Sequence, residues 1–263
     1  MSNTVLEAKN LKKIYNAHTP YAFEALHGID VQVHQGDFTA VMGPSGSGKS
    51  TFINNISTMD IPTSGTVKIN GKDVRTMSAN AIGRFRFENL GFIFQDFNLL
   101  DTHTLYDNIA MPLALAHKDT SKTKERVTQL AEQMDIAGIL DKFPNSCSGG
   151  QRQRAAICRA LVNHPHIIVA DEPTGNLDSY NSSQLMTILA KLNKENGVTI
   201  VMVTHDPLIA SYSSRLLYLK DGNIQTVLER RNMSQDEYFQ KIVAINSEES
   251  RQILQEEGKE VQP

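Results

Sequence analysis

Gly43-Pro44-Ser45-Gly46-Ser47-Gly48-Lys49-Ser50 is the stretch that decides how the rest of the chain is read. It follows the pattern G-x-x-x-x-G-K-[ST], and its surroundings meet the physical requirement behind that pattern. Phe38-Thr39-Ala40-Val41-Met42 ahead of it reads as a short buried strand, and the sequence from Lys49 onward lacks turn residues and predicts a helix. A loop so placed aims backbone N–H groups and a helix N-terminus at one point, which suits a polyphosphate. Lys49 would neutralise the outer phosphates, and the Ser50 hydroxyl would ligate Mg2+. The competing reading is a Gly-rich turn that matches by accident. Chance produces the pattern in on the order of 1% of chains of this length, and the preceding strand lowers that further.

The 263 residues are 40% hydrophobic, with a formal net charge of -3 and a pI near 6.2. That is enough chain for one large domain, or one domain with an inserted subdomain. The charge gives no sequence-wide attraction to nucleic acid or anionic lipid. Met1-Ser2-Asn3-Thr4 lacks the charged and apolar regions of a signal peptide. The longest apolar runs, Ile167 to Ala170 and Ile200 to Val203, are too short to cross a bilayer. Cys147 and Cys158 form no CxxC pattern, so the expectation is a soluble protein of a reducing compartment without a disulfide. Any work at a membrane would come through a partner.

Outward from the loop, residues 5–33 alternate apolar and polar in places and read as short antiparallel strands. Tyr15 lies among them, either packed in the core or offered as a platform for an adenine ring. Thr66-Val67-Lys68-Ile69 followed by Asn70-Gly71 predicts a hairpin with a type I′ turn. Leu90-Gly91-Phe92-Ile93-Phe94 is a further buried strand ending in Gln95, which can reach a metal or an attacking water or can be an ordinary polar terminus. From Asp96 to Asn145 the pattern becomes helical: Val127, Leu130, Ala131 and Met134 fall at i, i+3, i+4 and i+7, and Pro112 and Pro144 bracket the region. The expectation is an inserted helical subdomain.

Ser148-Gly149-Gly150-Gln151 opens another helix that runs to Leu161 before Pro165. The serine can cap, and the glycines allow close approach to the exposed amides. Ile167-Ile168-Val169-Ala170-Asp171-Glu172 is a buried strand ending in two acids. Beside a phosphate loop, Asp171 would hold Mg2+ through water and Glu172 could polarise the water that attacks the γ-phosphate; the bland reading is a solvated acid pair. Thr199-Ile200-Val201-Met202-Val203-Thr204 delivers His205 to the strand edge where ligands bind in open parallel sheets.

Those elements in that order resemble the ATP-binding subunit of an ABC (ATP-binding cassette) transporter over roughly residues 4–228. The resemblance implies an α/β fold: a P-loop NTPase core with a parallel sheet, an N-terminal antiparallel β-subdomain and a helical subdomain at about 96–160. Gly43–Ser50 resembles the Walker A loop, Gln95 the Q-loop, and Ser148-Gly149-Gly150-Gln151 the signature. Asp171 and Glu172 resemble Walker B and the catalytic glutamate, Asn176-Leu177-Asp178 the D-loop, and His205 the switch histidine. It thereby implies catalytic roles for Glu172, His205 and Gln95. It implies ATP contacts from Tyr15, from Gly43, Pro44, Ser45, Gly46, Ser47, Gly48, Lys49, Ser50 and Thr51, and from Ser148, Gly149, Gly150, Gln151 and Asp178. Mg2+ would be held by Ser50, Gln95 and Asp171. Cys147 departs from the leucine that many members carry before the signature serine; as a small hydrophobe it should change little, though its thiol could be sensitive to oxidation.

With one P-loop and one signature, the resemblance further implies a head-to-tail homodimer that sandwiches ATP, and a membrane permease docked after Gln95 at the cytoplasmic face of the cell membrane. Phe92-Ile93-Phe94-Gln95-Asp96-Phe97-Asn98-Leu99-Leu100, Asp171 through Asp178, and Thr204-His205-Asp206-Pro207 resemble the subgroup of MacB-like and LolD-like exporters. Ala210-Ser211-Tyr212 is most similar to the Bce-type peptide-antibiotic resistance ATPases, which pair with a large permease and often a sensor histidine kinase. Alternatives are the ATPase of a lipoprotein-releasing or macrolide-exporting transporter, a soluble ABC ATPase switch, or a flux-sensing module. Beyond 228, Ser234-Gln235-Asp236-Glu237 is a capping box that predicts a helix with Tyr238, Phe239, Ile242 and Val243 on one side, packed on its own domain or against a partner. Past Asn246 the acid-rich run of Glu248, Glu249, Glu256, Glu257 and Glu260 is expected to fray.

Overall fold

Every residue of Phe38–Met42 is buried, as a strand covered on both faces requires, and this strand (β3) lies inside a six-stranded sheet. The computed structural model describes residues 3–116 and 122–260, and side chains as far as 248. Around β3 run β6 (Leu90–Phe94), β7 (Ile167–Asp171), β8 (Ile200–Val203), β9 (Arg215–Lys220) and β10 (Asn223–Glu229), in the order β10-β9-β3-β8-β7-β6. The pairs from β9 to β6 are parallel; β10 closes the edge as the antiparallel arm of a hairpin whose turn, Asp221-Gly222, has both residues at positive φ. The short apolar runs that could not cross a membrane are thus sheet strands, and among the described residues no helix is long and apolar enough to do so.

A second, four-stranded sheet is antiparallel, in the order β2-β1-β4-β5, built from β1 (Thr4–Tyr15), β2 (Phe23–His34), β4 (Ser64–Ile69) and β5 (Lys72–Asp73). Its first two strands are twelve residues each, longer than the short strands expected, because bulges let the alternation drift without breaking the pairing. Asn70 and Gly71 sit at φ 48° and 76°, as the predicted type I′ turn demands.

Side chains alternate across β3, so the central sheet separates two cores. Val41, Val201, Val203, Leu217 and Leu219 pack with the antiparallel sheet and with α1 (Lys49–Ile56). On the other face, Ala40, Met42, Ala170 and Met202 pack against residues of α3 (Leu105–Leu115), α4 (Thr123–Gln133), α5 (Gly149–Leu161) and α6 (Ser179–Asn196). Helix α2 (Ala79–Asn89) precedes β6. Between β6 and β7 the chain is helical as expected, although residues 117–121 there lie outside the described residues. Pro112 does not bracket this region; it sits inside α3. The Thr104/Asp107 capping box and the buried face of Leu105, Ile109 and Leu113 carry the helix through the proline.

Helix α7 (Pro207–Ala210) lies between β8 and β9, and α8 (Gln235–Glu260) follows β10. The expected capping box opens α8: the Ser234 N–H donates to Glu237 Oε2 at 2.7 Å, and the Glu237 N–H to Ser234 Oγ at 3.2 Å. Tyr238 and Ile242 are fully buried in the same core as β9 and α7, so this face packs on its own chain. The backbone stays helical to Glu260, past the point where fraying was expected; side chains beyond 248 are outside the described residues.

Candidate nucleotide site

The strand order places the carboxyl ends of β3, β8, β7 and β6 side by side, and each delivers one predicted element: the 43–50 loop, His205, the Asp171/Glu172 pair and Gln95. The loop is a tight cradle. A Cβ on Gly43 would meet the Leu219 carbonyl oxygen at 2.0 Å, and one on Gly48, at φ 99°, would meet that of Ala25 at 2.8 Å. The Gly222 N–H donates to the Ser47 carbonyl at 3.1 Å, and the His27 N–H to the Gly222 carbonyl at 3.0 Å. The β9–β10 turn therefore ties the loop to β2 of the other sheet.

Within the cradle the Lys49 ammonium donates to the carbonyls of Gly43 at 2.8 Å and Pro44 at 2.7 Å. Burial holds its pKa below the usual lysine value, against the pull of Glu172 and Asp171. Asp171 is raised, chiefly by burial and next by the neighbouring Glu172, with Lys49 acting the other way. Ser45, Gly46 and Ser50 are exposed, whereas Ser47 Oγ is buried without a hydrogen-bond partner. The loop thus combines a cation, an orphaned hydroxyl and open backbone, a combination that fits a polyphosphate.

Glu172 has φ 45°, rare for a side chain of its size. Its N–H donates to the Val203 carbonyl and its carbonyl accepts from the Gly175 N–H, both at 3.0 Å. Its Oε1 lies 2.9 Å from Nδ1 of the exposed His205. Gln95 is exposed and packs on Gly175, where a Cβ would come within 2.8 Å of the glutamine side chain. Asp171, Ser50 and Gln95 offer oxygen donors. Among the described residues no group of three or more His, Cys, Asp or Glu could hold a metal ion. A single carboxylate supplemented by neutral oxygens is the donor set Mg2+ uses when substrate phosphates complete its shell.

Tyr15 comes to the same region from the antiparallel sheet. Its hydroxyl lies 3.4 Å from Thr51 Oγ1 and 3.3 Å from Asp60 Oδ2, and Lys13 Nζ sits 5.1 Å from the ring centre while pairing with Asp60 at 2.6 Å. The ring is partly exposed rather than packed in the core. Lys13 and Asp60, which fix it, were not among the predicted residues, and their separation in sequence left no signal.

Ser148, Gly149, Gly150 and Gln151 are placed differently. Ser148 caps α5 in a full capping box with Gln151, and the two glycines face Leu177 and Asn181. Asp178 caps α6, accepting from the Asn181 backbone at 2.9 Å and side chain at 2.7 Å, bonds that hold its pKa low. Among the described residues no hydrogen bond joins Ser148–Gln151 or Asp178 to the chain's own 43–50 loop.

A phosphate loop on a parallel sheet, with a second antiparallel sheet beside it and helices inserted between β6 and β7, defines a nucleotide-hydrolysing P-loop cassette. The chain belongs to the ABC transporter family, whose model matches residues 26–175, and it is an ATPase of that family. It is 44% identical over 239 residues to the bacitracin export ATP-binding protein BceA of Halalkalibacterium halodurans, covering 91% of this chain and 94% of the relative. It is 45% identical over 236 residues to the ABC transporter ATP-binding protein YxdL of Bacillus subtilis, covering 90% and 91%. Among solved structures it is similar to the ATP-binding cassette MJ0796 of Methanocaldococcus jannaschii, a dimer in a post-hydrolysis state bound to ADP and Pi. The match has a TM-score of 0.78 at 36% identity, over 87% of this chain and all of that one.

Proposed function

We propose that this chain is the ATP-hydrolysing subunit of a membrane transporter that confers resistance to, and senses, cell-wall-targeting peptide antibiotics such as bacitracin. The observation that carries the ATPase chemistry is the convergence of the 43–50 loop, Gln95, Asp171/Glu172 and His205 on adjacent strand ends. The antibiotic assignment is supported by nearly full-length similarity to a bacitracin export ATP-binding protein.

In this reading Tyr15 stacks on the adenine and the backbone amides of Gly43 to Thr51 cradle the phosphates. The Lys49 ammonium moves from the loop carbonyls to the outer phosphates. Ser50, Gln95 and Asp171 hold Mg2+, which when bound supplies charge neutralisation on the phosphates. Glu172 polarises the attacking water, and His205, hydrogen-bonded to it, holds the carboxylate in place. Ser148, Gly149, Gly150, Gln151 and Asp178 serve the site of a second copy, which explains why they stand apart from this chain's own loop. A C2 homodimer closes around two ATP molecules and drives a large permease at the cytoplasmic face of the membrane, with a sensor histidine kinase reached through that permease.

A pull-down of the tagged chain from detergent-solubilised native membranes tests this reading. Recovery of a large permease with an extracellular domain supports it, and a histidine kinase in the same complex supports the sensing role. A small permease pair or an envelope-spanning tube replaces it with lipoprotein release or macrolide export. Absence of any membrane partner replaces it with a soluble switch.

A further inference from the structure

The four residues that follow β6 have no regular structure of their own, yet they are held from two sides. Phe97 and Asn98 are consecutive non-glycine residues at φ 62° and 48°. Such a pair is unfavourable unless its surroundings impose it. The clamp on one side is Arg159, three turns along α5 from its capped start. Its Nη2 donates to the Phe97 carbonyl at 2.8 Å and its Nη1 to that of Asn98. Burial depresses the pKa of this guanidinium, and the two carbonyls give its buried N–H groups acceptors.

The clamp on the other side is Asn176, in the loop after β7. Its Nδ2 donates to the Gln95 carbonyl at 3.1 Å and to Asp96 Oδ1 at 2.8 Å. One amide therefore bridges the backbone of Gln95 and the side chain that follows it, while Gly175 leaves room for the glutamine itself. Both ends of the 95–98 segment are fixed by elements distant in sequence.

We infer that Asn176 and Arg159 are positioning residues for Gln95: they fix the segment that aims the glutamine at the metal and phosphates. The inference rests on the proposed reading of Gln95 as an Mg2+ ligand. Supports that orient a ligand are commonly worth 10-fold or more in metal affinity. Arg159 needs a planar fork to span two carbonyls, and lysine, a point donor, satisfies only one of them.

The test is a Mg2+ titration of the full-length chain at fixed non-hydrolysable ATP analogue, read by the rise in melting temperature, with nucleotide affinity measured separately in chelator. The variants are Asn176→Ala, Arg159→Lys, Gln95→Ala and the Asn176→Ala/Gln95→Ala double. Expected are an increase in half-saturating Mg2+ of about 10-fold for Asn176→Ala and Gln95→Ala, a smaller one for Arg159→Lys, and unchanged affinity in chelator. The double variant should be no worse than Gln95→Ala, because the two residues act through one ligand. Asn176 is exposed, so its truncation should leave folding intact even if Arg159→Lys does not. If Gln95→Ala shifts the midpoint and Asn176→Ala does not, or if the effects multiply in the double, the positioning role is overturned and the Gln95 reading stands. A wild-type midpoint for Gln95→Ala overturns both.

Discussion

Glu172 Oε1 and His205 Nδ1 lie 2.9 Å apart, joining the ends of two adjacent parallel strands, β7 and β8. The contact depends on the left-handed turn at Glu172, which redirects the chain just beyond the strand. If the carboxylate polarises the attacking water, Glu172→Gln should retain ATP and accumulate as a nucleotide-bound dimer while hydrolysis falls by about 10²–10⁴-fold. Size-exclusion chromatography with ATP, alongside phosphate release, checks it. Hydrolysis at the wild-type rate would remove Glu172 from that role. If the histidine acts by holding that carboxylate, His205→Ala should also slow turnover without weakening ATP binding.

Lys49 is the cation of the loop. Its ammonium already bonds two loop carbonyls, so in the proposed reading a bound polyphosphate would exchange those bonds for ionic ones. Lys49→Ala should abolish nucleotide binding or turnover while lowering the melting temperature of the nucleotide-free protein only modestly, for the two loop bonds lost from a half-buried site. Isothermal titration with ATP and a thermal melt read the two halves, and normal turnover would contradict the loop's assignment.

Much of this was legible in the sequence because it lies in contiguous runs. The Gly43–Ser50 loop, the apolar strands and the acids at 171 and 172 each occupy a single stretch, and local chemistry fixes what each can do. Pro112 misled because a proline marks a boundary on local grounds, whereas α3 is held by its buried face and its cap. The Glu172–His205 bond, the Asn176 bridge to Gln95 and the Lys13–Asp60 pair beneath Tyr15 join residues 33, 81 and 47 apart. Those contacts exist only once the sheet order has been set, and no spacing rule in one sequence announces them.

Gly43 tests the cradle without touching a charge. A methyl there would collide with the backbone oxygen of Leu219, which the β9–β10 hairpin holds in place. Gly43→Ala should therefore lower stability by about 1–3 kcal/mol and also impair ATP binding, because the strand cannot yield without moving the loop. Gly46→Ala is the contrast: its φ is 80°, but nothing lies within 4 Å, so only the smaller backbone strain applies. Urea melts of the two variants should rank in that order.

Tyr238 anchors α8. It is fully buried, and its hydroxyl donates to the Leu228 carbonyl at 3.2 Å. Tyr238→Phe should cost about 1 kcal/mol for the lost bond, and Tyr238→Ala about 3–5 kcal/mol for the cavity left in the core. Denaturant unfolding measures both. A cost near zero for the alanine variant would mean that α8 is not packed on the cassette in solution.

Alkaline stability follows from Cys158, on the buried face of α5. Its Sγ donates to the Leu130 carbonyl at 3.5 Å, and burial pushes the thiol up to about 12, only partly opposed by Arg126. The unfolded thiol loses its proton near the ordinary value of about 9. Between those values the folded chain holds more protons than the unfolded one, so stability falls as pH rises through this window. By pH 10 the loss from this group approaches about 1.4 kcal/mol. Tyr238 is likewise raised to about 12, but from 10, so it adds its loss only at higher pH. Urea unfolding at pH 7, 9 and 10 should show a decline in the wild type that is shallower in Cys158→Ala, since alanine has no proton to lose. Equal slopes in the two proteins would place the alkaline sensitivity elsewhere.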